Sequence, residues 1–437
     1  MNDKLIAVRP SARQLAWQRM EFYGFVHFGM NTMTGREWGD GTDRPSVFDP
    51  AAVDADQWVA ELKNAGMTGV IITAKHHDGF CLWPTATTSY SVVSSPFRGD
   101  VVGLVAEAAR AHGLKLGIYL SPWDRNNESY GTGKGYDDLY VAQLTELLTG
   151  YGPVFTVWLD GANGEGPNGK VQEYDWDRYY AVVRDLQPDA VISVCGPDVR
   201  WCGNEAGETR PDEWSVVPRA LRNVERIAAK SQQIDDGEFS RLVRSDDQDL
   251  GSRAVLAGCE DDLVWYPAEV NTSIRPGWFY HSAEDDAVRT PDELFQIYLK
   301  SVGGNSTFLL NVPPGPDGRI HDDDVVALRG LGERIADFRA RAIPATRGGD
   351  LTLHLPEPRA VEAVVVGEDI TQGQRVENLV VHGLVDGDWT VLASARSVGH
   401  RRILTFDPVT VEAVWVEIRE TRGEPVISRL EAIGAAR

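Results

Sequence analysis

Seven short runs between residues 20 and 315 are apolar along almost their whole length: FYGFVHF (22–28), GVIITAKH (69–76), KLGIYLSP (115–122), PVFTVWLD (153–160), AVISVCG (190–196), LVWYPAEV (263–270) and TFLLNV (307–312). A strand with one wet face alternates polar and apolar residues. A strand without that alternation is covered on both faces, as parallel strands are when helices pack on either side. Helical patterns do fall between these runs. In 54–66, Trp58 and Leu62 lie four apart, Asp54 suits an N-cap and Gly66 a stop. Segments 101–113 and 136–152 read the same way, and Thr290, Pro291 and Glu293 spell a capping box that opens another helix. Repeated strand–helix units of this kind predict a (β/α)8-type TIM barrel, with an irregular stretch between 200 and 260. A doubly wound α/β sheet is the alternative, but it normally carries a Gly-rich phosphate loop after an early strand, and the sequence shows none.

After residue 345 the pattern changes to β-rich runs separated by turn residues, and VDGDW (385–389) is a hairpin signal. This predicts a C-terminal β-sandwich. The helical stretch 322–342 joins the two parts, so the expected division is a barrel over 1–342 and a β-sandwich over 343–437. The chain carries 43 Lys and Arg against 65 Asp and Glu, a net charge of −22. Such acidity argues against nucleic acid, whose phosphates need clustered cations, and suits a neutral substrate. No apolar run approaches the length of a membrane span, and the first residues lack the apolar core of a signal peptide. A cytoplasmic protein without a membrane partner is expected, or a secreted one if a leader was removed. The four cysteines, Cys81, Cys195, Cys202 and Cys259, show neither a zinc spacing nor a disulfide framework.

Chemistry in such a barrel sits where the strands end, on the C-terminal face. The first run ends at His27, with Glu37 and Trp38 in the loop beyond; the second at His76 and His77; the third at Tyr119. The fourth ends at Asp160, and the fifth leads into a loop containing Asp198, Arg200, Trp201, Asn204 and Glu205. The run at 263–270 carries Trp265 and Glu269, with Arg275 and Trp278 following. Any one of these has a dull explanation as packing or capping. Together they combine aromatic faces, which stack on sugar C–H faces, with groups that bond hydroxyls. Asp160 and Glu205, from different strand ends, could serve as nucleophile and general acid.

The segments FVHFGMNT with EWG close behind, ITAKHHDGFCLWPT, LGIYLSPWDRN, VWLDGANG and GGNSTFLLNVPPGPDGRI resemble the α-L-fucosidases of glycoside hydrolase family 29. RWCGNEAGE followed by SIRPGWFYH is similar to the branch that prefers α-1,3- and α-1,4-linked fucose. The resemblance implies a retaining exo-α-L-fucosidase with Asp160 as nucleophile and Glu205 as acid/base. It further implies fucose contacts from His27, Glu37, Trp38, His76, His77, Tyr119, Trp265, Glu269, Arg275 and Trp278, with no metal and no cofactor. The expected partner is a fucosylated oligosaccharide. One departure stands out: Asn271 occupies a place where an acid is expected. Two other readings compete. His27, His76, His77 and Asp160 could bind zinc in a metal-dependent hydrolase, although adjacent His76 and His77 at a strand end point to opposite sides. The chain could also bind fucose without turnover.

Overall fold

The computed structural model describes residues 2–230 and 249–436. Eight parallel strands form a nearly closed barrel: β1 (Phe22–Val26), β2 (Gly69–Lys75), β3 (Lys115–Leu120), β4 (Val154–Leu159), β5 (Val191–Val194), β6 (Arg200–Trp201), β7 (Ala268–Ser273) and β8 (Thr307–Asn311). Their order around the sheet is β5-β4-β3-β2-β1-β8-β7-β6, and a single bridge between Ser193 and Val199 spans the remaining gap. β1, β2, β4, β5, β7 and β8 are buried at every residue, as strands covered on both faces must be.

The predicted punctuation holds at the covering helices. Asp54 caps Ala55–Asn64 by accepting from Gln57 N at 3.0 Å; Asp100, which the sequence pattern does not single out, caps Val101–His112 by accepting from Gly103 N at 2.8 Å. Thr290 and Glu293 form the full capping box of Pro291–Ser301. A Cβ at Gly24 would stand 2.7 Å from Leu62 Cδ1, so this glycine is what lets Ala55–Asn64 lie close against β1.

Two features depart from the sequence expectation. The run 263–270 is not one strand. Leu263–Trp265 pairs antiparallel with Val216–Pro218 in a small separate sheet, and only Ala268–Ser273 joins the barrel. Pro267 lies at the break, since it has no N–H for a ladder; its carbonyl accepts from Arg200 N at 2.8 Å. The sixth barrel strand is the two-residue β6, with no helix between it and β5. The irregular stretch predicted over 200–260 falls partly outside the described residues.

The C-terminal part is a β-sandwich of six antiparallel strands. Thr352–Glu368 and Arg402–Thr421 pair along most of their length, with register shifts near His354 and Val361. The hairpin turn is the predicted one: Val385 pairs with Asp388 across Asp386 and Gly387, both at positive φ (49° and 88°). Its core is Val361, Val364, Val366, Leu379, Val381, Val414 and their neighbours. A further apolar cluster joins Phe338, from the helix Asp322–Ala340, to Ala363, Val365 and Ile433 of the sandwich. Among the described residues no helix is long and apolar enough to cross a membrane. The four cysteines are free.

Candidate active site

A cleft opens at the C-terminal ends of the barrel strands. It is lined by His27 after β1, His76 and His77 after β2, Asp160 as the first residue past β4, Trp201 in β6 and Glu205 beyond it. Trp38 and Trp278 reach the cleft from loops. Val194, at the end of β5, also lines it and holds φ at +67°, a strained conformation for a β-branched residue. Strain of this kind costs on the order of 1–3 kcal/mol and persists where the surroundings enforce it. Here Val194 N donates to Val199 O at 3.2 Å, which ties β5 to the turn leading into β6.

The hydrogen bonds around the histidines fix which ring nitrogen carries the proton. Asn311 spends both amide hydrogens on Ser273 Oγ (2.9 Å) and Trp278 O (2.8 Å), so its Oδ1 must accept from His27 Nδ1–H at 2.8 Å. Ser121 donates to Trp123 O and therefore accepts from His77 Nδ1–H at 2.7 Å. Both rings are left with a bare, accepting Nε2. His76 is reversed. Asn31 Nδ2 donates to Glu37 O (2.9 Å) and to His76 Nδ1 (3.2 Å), so His76 keeps its proton on Nε2 and donates there. Burial lowers His27 to a pKa of about 3 and His77 to about 4, and pushes His76 well down too. All three are neutral at physiological pH. A mixture of neutral donors and acceptors is matched to hydroxyl groups.

The two acids are held differently. Asp160 Oδ2 accepts from Tyr119 OH at 2.9 Å and Oδ1 from Ala162 N at 2.8 Å. Burial raises the Tyr119 pKa well above its ordinary value, so this hydroxyl keeps its proton and stays a donor. His77 Nε2 lies 3.9 Å from Asp160 Oδ2. Glu205 Oε2 accepts from Trp278 Nε1 at 2.9 Å. Among the described residues no cluster of His, Cys, Asp or Glu is arranged to hold a metal ion.

A family model for α-L-fucosidases matches residues 14–337. The chain is 38% identical to α-L-fucosidase 1 of Arabidopsis thaliana, over 96% of this chain and 86% of the plant protein. The chain belongs to the α-L-fucosidase family. Among solved structures, it resembles a glycoside hydrolase 29 family member from a rumen bacterium: 36% identity, TM-score 0.84, 98% of this chain and 78% of that one. It likewise resembles a Ruminococcus gnavus fucosidase solved with fucose: 27% identity, TM-score 0.82, 98% and 95% covered.

Within this family member, not every residue singled out from the sequence reaches the cleft. His27, Trp38, His76, His77, Asp160, Glu205 and Trp278 line it. Tyr119 stands behind Asp160, stacked on Trp158 at 5.4 Å between ring centres. Glu37 faces a neighbouring loop: its carboxylate accepts from Trp278 N (2.8 Å), Phe279 N (3.0 Å) and His281 Nε2 (2.7 Å). It thereby ties the loop after β1 to the loop that carries Trp278. Arg275 is fully buried and paired with Asp324 (2.9 Å) and Asp285 (2.8 Å), which makes it a strut for the same loop. Trp265 lies in the small sheet, packed with Leu5, Val216 and Ile370, and donates to Gln18 Oε1 at 2.9 Å.

Glu269 lies in the barrel interior, fully buried, accepting from Trp158 Nε1 at 2.7 Å and from Tyr23 OH. Burial raises its pKa to about 7, against about 4.3 for an unfolded glutamate. The fold therefore favours the protonated carboxyl. That preference stabilises fully below about pH 4.3 and is lost as pH rises through 7. Urea unfolding should show wild type losing about 3 kcal/mol relative to Glu269→Gln between pH 4.5 and 8. Parallel stability curves would remove this role.

Sequence reasoning missed Trp158 and Asn271 as cleft residues, and placed Trp201 no closer than a strand-end loop. Asn271 sits inside β7, where an all-buried run gives no periodic signal. Trp158, the penultimate residue of β4, lines the cleft beside Phe25.

Proposed function

We propose that this chain is a retaining exo-α-L-fucosidase acting on α-1,3- and α-1,4-fucosylated glycans. The observation that carries the reading is that Asp160 and Glu205, 45 positions apart in sequence, line one cleft with three neutral histidines. Asp160, as carboxylate, attacks C1 of fucose and displaces the glycan oxygen, forming a fucosyl ester. Glu205 gives its proton to that oxygen as the C1–O bond breaks. Trp278 Nε1–H donates to Glu205 Oε2 and holds this carboxyl at the cleft. In the second step Glu205 takes a proton from water, which attacks C1 and frees Asp160. The bare Nε2 of His27 and of His77 accept from sugar hydroxyls, and His76 Nε2–H donates. The indole faces of Trp38 and Trp278 suit the apolar faces of the ring. The division near residue 342 belongs to the same reading, with the β-sandwich bracing the barrel through the cluster at Phe338.

Stereochemistry tests the mechanism. Carboxyls about 5–5.5 Å apart retain configuration, and wider pairs invert. Early NMR spectra of the reaction on an α-1,3/1,4-branched trisaccharide should show α-L-fucose first, faster than from an α-1,2-linked disaccharide. Initial release of β-L-fucose would overturn the assignment, and equal rates would overturn the linkage preference.

A further inference from the structure

Asn271 is 2% exposed, and its side chain lines the cleft that holds Asp160 and Glu205. Its amide has a single partner among the described residues: Trp201 Nε1, 2.9 Å from Oδ1. An indole nitrogen can only donate, so this bond settles which end of the amide is which. Oδ1 faces Trp201. Nδ2, with two hydrogens, bonds no described residue.

A donor that faces the cleft with no partner among the described residues is open to an oxygen of whatever occupies the cleft. The other cleft groups make this donor useful. His27 Nε2, His77 Nε2 and the two carboxyls offer mainly acceptors, with His76 Nε2–H as the donor among the histidines. A hydroxyl both donates and accepts, so a polyol ligand in such a cleft needs further donors. An aspartate at 271 would keep the bond to Trp201 but would add a third carboxyl beside Asp160 and Glu205. The amide supplies the same shape without that charge.

We propose that Asn271 Nδ2 is a substrate-contacting donor, held in orientation by Trp201 and bonding an oxygen of the sugar bound in the cleft. The proposal rests on the fucosidase reading above. It makes Asn271 a recognition residue, with Trp201 as the positioning residue behind it.

The test compares L-fucose binding by calorimetry for wild type, Asn271→Asp and Trp201→Phe at pH 7.5 and pH 5. Asn271→Asp keeps the acceptor for Trp201 and exchanges only the donor. Its dissociation constant should rise about tenfold or more at pH 7.5, and the deficit should shrink at pH 5 as the introduced carboxyl gains protons. Trp201→Phe, which leaves the donor in place but free to turn, should lose less. A purely structural Asn271 would give the reverse order, with Asn271→Asp close to wild type and no pH dependence, and that result overturns the proposal. Wild type that binds no L-fucose overturns the functional reading and this proposal with it. Wild type and Asn271→Asp binding equally well overturns the donor alone.

Discussion

Asp160→Asn should lower kcat for fucoside hydrolysis by about 10⁴ or more while changing L-fucose affinity only a few-fold. The geometry explains why the loss falls on chemistry. Asparagine has the same shape, and its one carbonyl oxygen can still accept from Ala162 N or Tyr119 OH, the two donors that hold the native carboxylate. The cleft walls, His27, His76, His77 and Trp278, are untouched. What disappears is the anion that, in the mechanism proposed above, forms the ester with C1. Truncation to alanine gives a sharper diagnosis. With Asp160→Ala, added azide can enter the vacated volume and attack C1 directly, restoring turnover of an activated aryl fucoside. One displacement inverts, so the product should be β-L-fucosyl azide. Wild-type rates in the Asn variant, or an α-configured azide from the Ala variant, would take the nucleophile role away from Asp160.

Much of the barrel was readable because its strands are wet on neither face. Uninterrupted apolar runs such as GVIITAKH and TFLLNV identify parallel strands whatever packs on them, and Asp54 and Thr290 mark helix starts by chemistry that acts within one turn. The failures have physical causes too. β6 is two residues long, below the reach of any periodicity. LVWYPAEV reads as one strand because both of its halves are buried, yet Pro267 divides them between two sheets. In the site, a polar residue after a strand looks alike in sequence whether it faces the cleft or a loop. Asp160 faces the cleft; Glu37 spends its carboxylate on two backbone N–H groups and His281. Arg275 similarly reads as a ligand contact, but it lies buried outside the cleft lining, paired with Asp324 and Asp285. Asn271 was visible only as an oddity, an amide where an acid was expected. Its meaning depends on Trp201, seventy positions away, which turns the carbonyl aside.

Glu205→Gln should divide substrates by their leaving group, and this separates an acid/base from a residue that merely shapes the cleft. On a branched trisaccharide, whose departing oxygen is poor without a proton, kcat/KM should fall by about 10²–10⁴. On a dinitrophenyl α-L-fucoside, whose leaving group departs unassisted, the first step should be nearly unchanged. The second step still lacks its base, so the fucosyl ester on Asp160 should accumulate, visible as a burst of dinitrophenolate followed by slow turnover. Azide needs no deprotonation, so it should accelerate that slow phase and yield α-L-fucosyl azide, the opposite anomer from the Asp160→Ala product. Trp278 provides the control. Glutamine keeps an oxygen that can accept the indole N–H now bonded to Glu205 Oε2, so the loop carrying Trp278 should stay in place. A Trp278→Phe variant, which removes that bond and leaves the carboxyl, should slow both substrates to a similar degree and show no burst. If Glu205→Gln behaves like Trp278→Phe, with equal losses on both substrates and no response to azide, then Glu205 does not transfer the proton and another group must.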